Sequence, residues 1–196
     1  MKPKKLPYKL FLKSFQFAPR PAVNLLVERE VYETSRGRNG KFCKLPIKEV
    51  LLTKRKKPPF AGSWHLPGSF ILKGEALIDC AKRVAREELG IKIEIKIKIK
   101  IKIKVGKVKR LTGLKKRQDK FTLVGVFDDI DGDPRGHVVD LVYRCQIKPD
   151  QKGQAFFGKA WPFQPVGDSA EIKFFKKLPQ NIGFNHRETL NSLGYK

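Results

Sequence analysis

Two adjacent carboxylates, Glu87 and Glu88, follow Arg83 within one stretch of chain, and Glu75 lies a short way upstream. Carboxylates facing a cleft offer hard oxygen ligands suited to Mg²⁺ or Mn²⁺. Arg83 and Glu87 stand four residues apart and can pair on one face of a helix. Most such pairs only decorate a solvated face. Here they follow a loop with fixed features: Trp64, Leu66, Pro67 and Gly68 lead into it, and Gly74 and Glu75 close it. A loop running into a helix places backbone groups and carboxylates around a phosphate-bound cation. Such a cation would bridge diphosphate oxygens and neutralise charge as water attacks.

Residues 64–91 resemble the Nudix box, G-x5-E-x7-R-E-U-x-E-E-x-G-U, where U is aliphatic. Aligned on Glu75, the pattern is met in register by Arg83, Glu87, Glu88, Gly90 and Ile91. The resemblance to the Nudix hydrolase family implies a Nudix-type α/β/α sandwich with a mixed sheet, within the α/β (α+β) class. It also implies metal-dependent hydrolysis of a nucleoside diphosphate linked to another moiety. By the same resemblance, Glu75 would orient Arg83, Glu87 and Glu88 would bind Mg²⁺ or Mn²⁺, and the Gly68 carbonyl would be a further ligand. A homodimer is a partner state known in the family. Two positions depart from the pattern. Ser69 stands for the leading Gly, at little cost if its backbone is ordinary. Val84 stands for the first Glu of R-E-U-x-E-E, which predicts fewer metals and puts activity in doubt. The same loss is familiar in the GDP-mannose mannosyl hydrolase branch, which residues 58–64 also resemble. Residues 128–143 are instead similar to a segment of ADP-ribose pyrophosphatase-like Nudix proteins.

Other candidates lie outside the box. Arg135, His137 and Lys57 are candidate substrate-binding residues; for Arg135 the competing reading is a plain turn. Asp168 and Glu171 are the carboxylates of the late loop, either of which could complete a metal shell or act as base. His65 and His137 could each be a general base, although a lone histidine is more often structural. Trp64 and Phe60 read as packing.

The elements that must position these residues follow from periodicity. Ala22–Tyr32, Glu49–Lys54, Phe121–Phe127, His137–Ile147 and Glu171–Phe175 read as strands. Residues 75–89 have helical spacing, with Gly90 ready to end the helix in a left-handed conformation. His186–Leu193 reads as a closing helix. Residues 1–21 form a basic lead-in, with an edge strand expected in Lys9–Phe17, and residues 22–196 form the Nudix domain. Ile91–Val105 alternates Ile and Lys and reads as one strand, too long for an ordinary one at about 3.3 Å per residue. A low-complexity basic insertion is therefore placed at about 95–120. As a projecting β hairpin, it could hold nucleic acid through its lysines.

The 196 residues suit one domain, and the 40% hydrophobic content supports a core. The net charge of +24, from 43 Lys+Arg against 19 Asp+Glu, favours anionic ligands without choosing among them. Three cysteines, none in a Cys-x-x-Cys pair, argue against structural zinc and a disulfide framework and fit a cytoplasmic location. No apolar run is long enough to span a membrane. The main alternative to an enzyme is an impaired Nudix-fold module that binds RNA or another polyanion through the insertion.

Overall fold

The computed structural model describes residues 3–36, 42–90, 121–146, 165 and 167–196. In chain order the elements are α1 (Tyr8–Ser14), β1 (Arg20–Arg36), β2 (Phe42–Arg55), β3 (Trp64–His65) and β4 (Gly68–Phe70). They continue with α2 (Leu77–Leu89), β5 (Phe121–Asp129), β6 (Val138–Gln146), β7 (Ser169–Phe175) and α3 (His186–Ser192). The seven strands form one sheet, ordered β3-β2-β1-β6-β5, with β4 on β1 and β7 on β2. Only the β1–β6 pairing is parallel among these strands, so the sheet is mixed.

Side chains alternate across a strand, and β1 uses both faces. Val23, Leu25 and Val27 join Leu51, Cys145 and Phe174 against Cys80, Ala81, Val84, Ala85 and Leu89 of α2. Leu26 points the other way, to Val50, Leu52, Val142, Leu190 of α3 and Tyr195. The sheet is thus covered by α2 on one face and α3 on the other, as the sandwich expectation required. Helix α2 ends where expected, at Gly90, whose φ of 67° is left-handed.

Strand β1 changes partner along its length. Ala22, Val23 and Asn24 pair with β4, whereas residues from Glu28 onward pair with β2. Between these, the Leu25 amide donates to the Pro67 carbonyl at 2.8 Å. The box loop therefore lies beside the start of β1, and the cavity described below is lined by Ala22 and Asn24 there.

Three expectations change. Lys9–Phe17 is not an edge strand: helix α1 runs to Ser14 with Phe15 as its C-cap, and Phe11 and Phe15, four apart, both reach the Phe70 ring. β1 runs past the expected end at Tyr32 to Arg36, because its ladder with β2 extends to Arg36 opposite Phe42. The short strands β3 and β4 carried no alternation to mark them. The Ile/Lys repeat and the insertion at 95–120 lie outside the described residues. No helix among the described residues is long and apolar enough to cross a membrane.

Leu51 is wholly buried between β2 and α2. Leu51→Ala is expected to lower stability by about 2–5 kcal/mol. This would be read as a lower urea midpoint at unchanged slope; a loss under about 1 kcal/mol would place Leu51 outside the core.

Candidate active site

The box is organised by Arg83. Its side chain is 8% exposed, and that of Glu75 is 4% exposed. Arg83 Nε donates to Glu75 Oε1 at 2.7 Å and Nη2 to Oε2 at 2.9 Å, a bidentate pair. Nη2 also donates to the Phe70 carbonyl at 2.9 Å, and Nη1 to Ser69 Oγ at 3.0 Å. Glu75 Oε2 further accepts the Leu72 amide at 3.0 Å. One guanidinium thus joins α2 to the loop before it. Ser69 is an added hydrogen-bond partner rather than a mere tolerated substitute for glycine. Burial pushes the Glu75 carboxyl upward, but the hydrogen bonds of Arg83 and Leu72 outweigh it and leave the group below the usual carboxylate range.

Arg83 Nη1 also reaches Glu87 Oε2 at 3.5 Å, and Glu87 and Glu88 line a cavity of about 210 Å³ together with Gly68 and Asp168. Glu88 Oε2 accepts the Ser169 hydroxyl at 2.7 Å. Burial raises the Glu88 carboxyl, and the neighbouring Asp168 and Glu87 raise it further, against the Ser169 bond and the Arg55 charge. Among the described residues, no three His, Cys, Asp or Glu side chains converge into a metal site of their own. The donors that share the cavity are nonetheless hard oxygens, and one is a desolvated carboxylate whose charge a cation would relieve. They fit Mg²⁺ or Mn²⁺, which keep several water and phosphate oxygens in their shells. Two ammonium groups stand on the same carboxylates: Lys5 Nζ lies 3.0 Å from Glu87 Oε2, and Lys57 Nζ 2.7 Å from Asp168 Oδ1.

A side chain at Gly68 would have to displace the buried Asn24 side chain. A Cβ there would fall 1.8 Å from Asn24 Oδ1. Val84 is wholly buried against the sheet and takes no part in the cavity lining.

Residues outside the box form the opposite wall. His186 Nδ1 accepts the Leu66 amide at 3.1 Å, so a neutral ring carries its proton on Nε2. That nitrogen lies 3.4 Å from the Asn24 amide and 3.9 Å from Asp140 Oδ2. Burial holds His186 neutral, at about 4, with Asp133 and Arg55 acting in opposite senses. The His186–Asp140 approach is therefore not an ion pair at neutral pH. Burial raises Asp140 to about 7, against the Asn24 hydrogen bond and helped by Asp129 and Asp133. Arg135 Nε donates to Asp133 Oδ1 at 2.8 Å. Arg55 and Arg135 lie 5.3 and 5.5 Å from the Phe184 ring centroid. Phe184 has a φ of 57°, a left-handed conformation that costs a non-glycine residue about 1–2 kcal/mol. It is held there between Phe60 and the His186 ring.

The candidates thus separate. Gly68, Glu87, Glu88, Arg135 and Asp168 line one cavity. Glu75 and Arg83 brace it from behind, and Lys57 reaches it through Asp168. His137 is outside the lining and pairs with Asp128 at 2.5 Å. Glu171 faces Lys54 on β7 at 3.8 Å. His65 lines the cavity, but its Nδ1 donates to the Leu66 carbonyl at 2.7 Å and its Nε2 meets Thr53 Oγ1 at 3.2 Å. Burial lowers it to about 3, so it stays neutral. Asp129, Asp133 and Asp140 lie in the 128–143 stretch that carries the second resemblance but are not among the sequence candidates, and neither are Arg55, Asn24, Phe184 and His186. They come from separate strands and loops, and none repeats a spacing.

The model of the NUDIX domain matches residues 43–176. The chain belongs to the NUDIX domain family. An ADP-ribose pyrophosphatase of Methanocaldococcus jannaschii is 29% identical over 144 residues, covering 72% of this chain. The match spans 63% of that protein's length. The NUDIX domain of Shewanella oneidensis NrtR, solved with ADP ribose, superposes with a TM-score of 0.54 at 16% identity. It covers 96% of this chain and 97% of that one. A bifunctional NMN adenylyltransferase/ADP ribose pyrophosphatase of Francisella tularensis, solved with AMP and a Mn ion, superposes at 0.56 with 18% identity. That match covers 94% of this NUDIX chain and 44% of the bifunctional one.

Glu75→Ala would leave the buried Arg83 charge with only the longer 3.5 Å contact to Glu87 as an ion pair and is expected to cost about 3–5 kcal/mol. Because the folded Glu75 carboxyl is lowered, its stabilisation is present above the usual Glu value of about 4.3 and is lost as pH falls through the folded value. Urea midpoints from pH 6 to pH 3 should therefore converge for wild type and Glu75→Gln; parallel profiles would contradict the clamp.

Glu88→Gln should act oppositely on folding. It removes a desolvated charge and keeps an acceptor for Ser169, so Tm in EDTA should rise. Mn²⁺ binding, read by the EPR signal of the free ion, should weaken at least about tenfold. A lower Tm would show that Glu88 has a stabilising partner.

Proposed function

We propose that this NUDIX protein is a divalent-cation-dependent hydrolase that cleaves an ADP-ribose-like nucleoside diphosphate derivative. The observation that carries the reading is the Arg83 clamp. It holds the box loop against α2, so that Gly68, Glu87 and Glu88 face one cavity with Asp168. Similarity to the archaeal ADP-ribose pyrophosphatase along most of the chain supports this substrate class.

A cation held by Glu87, Glu88 and the Gly68 carbonyl would supply positive charge to the diphosphate and acidify a water. The remaining work falls to the chain itself. Arg55 and Arg135 stand over Phe184 at the cavity and offer guanidinium groups to phosphate oxygens. Arg83 and Glu75 keep the box loop from moving as charge develops. His65 and His186 are neutral, with ring nitrogens engaged, so a carboxylate serves as base; Asp168, at the cavity edge, is the proposed one. With Val84 in the core, the box offers two acidic ligands where the pattern has three, which favours a single cation.

The test is a turnover panel with Mg²⁺ or Mn²⁺, containing ADP-ribose, GDP-mannose, other nucleotide sugars, NADH and nucleoside triphosphates. ADP-ribose should give AMP and ribose 5-phosphate. Glu88→Gln should lower kcat at least about a hundredfold. GDP and free mannose from GDP-mannose would instead place attack at carbon. No turnover of any compound by folded, metal-loaded protein would overturn the hydrolase reading.

A further inference from the structure

The segment before β1 is not a passive lead-in. None of the α1 residues is buried, yet the helix is fastened to both walls of the cavity through rings. Phe11 and Phe15 lie 5.2 and 5.5 Å from the Phe70 ring of β4, the strand that opens the box loop. Arg135, from the opposite wall, lies over the same Phe70 at 5.0 Å and over Phe11 at 6.0 Å. Phe15 also covers Gly136, where an added Cβ would fall 2.9 Å from the Phe15 Cβ. The chain preceding α1 then runs back to the cavity, which Lys5 lines. Its ammonium rests 3.0 Å from Glu87 Oε2, while the Lys5 side chain remains 67% exposed.

Those facts make a particular chemistry available. Glu87 is a proposed cation ligand, and one carboxylate oxygen cannot hold both an ammonium and a divalent ion closely. A lysine on a flexible, solvated stem can move a few ångströms at little cost. The nearest new acceptors would be the oxygens of a diphosphate drawn to the cation. The remaining basic groups of the lining, Arg55 and Arg135, stand over Phe184.

We propose that residues 3–19 form a substrate-binding arm, and that Lys5 is a diphosphate-binding residue released from Glu87 onto phosphate oxygens when Glu87 takes a divalent cation. This rests on the hydrolase reading for the substrate class only. Phe11 and Phe15 are positioning residues: they set where the arm leaves the domain and so where Lys5 can reach.

The proposal predicts opposite signs for two ligands. The probes are Mn²⁺ alone, read by EPR, and a methylene-bridged ADP-ribose with saturating Mn²⁺, read by calorimetry. Water cannot cleave the P–C–P link, so binding is measured apart from turnover. Lys5→Ala should weaken the analogue about tenfold, the loss of one charge-assisted hydrogen bond. The same variant should bind Mn²⁺ as tightly as wild type or more tightly, because a competing ammonium has gone. Phe15→Ala should repeat both signs by loosening the arm, and Lys5→Arg should restore analogue binding. Thermal melts of each variant separate these effects from misfolding.

Analogue affinity within twofold of wild type in Lys5→Ala would overturn the proposal, as would failure of wild-type protein to bind the analogue. Tighter binding of both probes would make the arm an inhibitor and also overturn it. Analogue binding that depends on Lys5, without turnover of any substrate, would sink the hydrolase reading and leave the arm intact.

Discussion

Arg83 is a charge taken almost wholly out of water, and the site depends on how that charge is satisfied. Its planar fork meets both oxygens of Glu75 and still reaches Phe70 O and Ser69 Oγ. A lysine could not do this, having a single point of charge and no fixed fork. The buried pair is weak evidence for global stability, since desolvation consumes much of the attraction. Its consequence is positional. It ties a strand, a loop and a helix at one point, and the backbone of Gly68 and the carboxylates of Glu87 and Glu88 inherit that geometry.

The second constraint is the double use of β1. Its odd-numbered residues build the core beneath α2, while Asn24 on the even face reaches the cavity. The switch from β4 to β2 along one edge of β1 lets the box loop lie beside the sheet without covering it. Asn24 then meets Gly68 so closely that any side chain there would have to push it aside. The glycine of the box lead-in is therefore explained by a neighbour distant in sequence.

Local charge runs against global charge. The chain carries +24 overall, yet Glu87, Glu88, Asp129, Asp133, Asp140 and Asp168 face Lys5, Arg55 and Arg135 across the cavity. Burial raises Glu88 and Asp140, and the neighbouring carboxylates raise them further. The net positive charge would draw an anionic ligand from a distance, and the proposed cation would offset the carboxylates that meet it there.

The sequence by itself determined the box, its register and the helix that carries it. These are local: spacing from Glu75 to Gly90 is set by one loop and one helix, and helical periodicity is written in consecutive residues. It also determined most strands, because alternation is likewise local. Only the tertiary structure decided the other wall. Asn24, Asp140 and His186 come from three elements far apart in the chain, and burial, not residue type, sets their protonation. It also decided that the expected edge strand at Lys9–Phe17 is instead helix α1 and the turn after it, packed on the Phe70 ring. Arg135 lines the cavity while His137 turns to Asp128, a difference of side-chain direction that no spacing records.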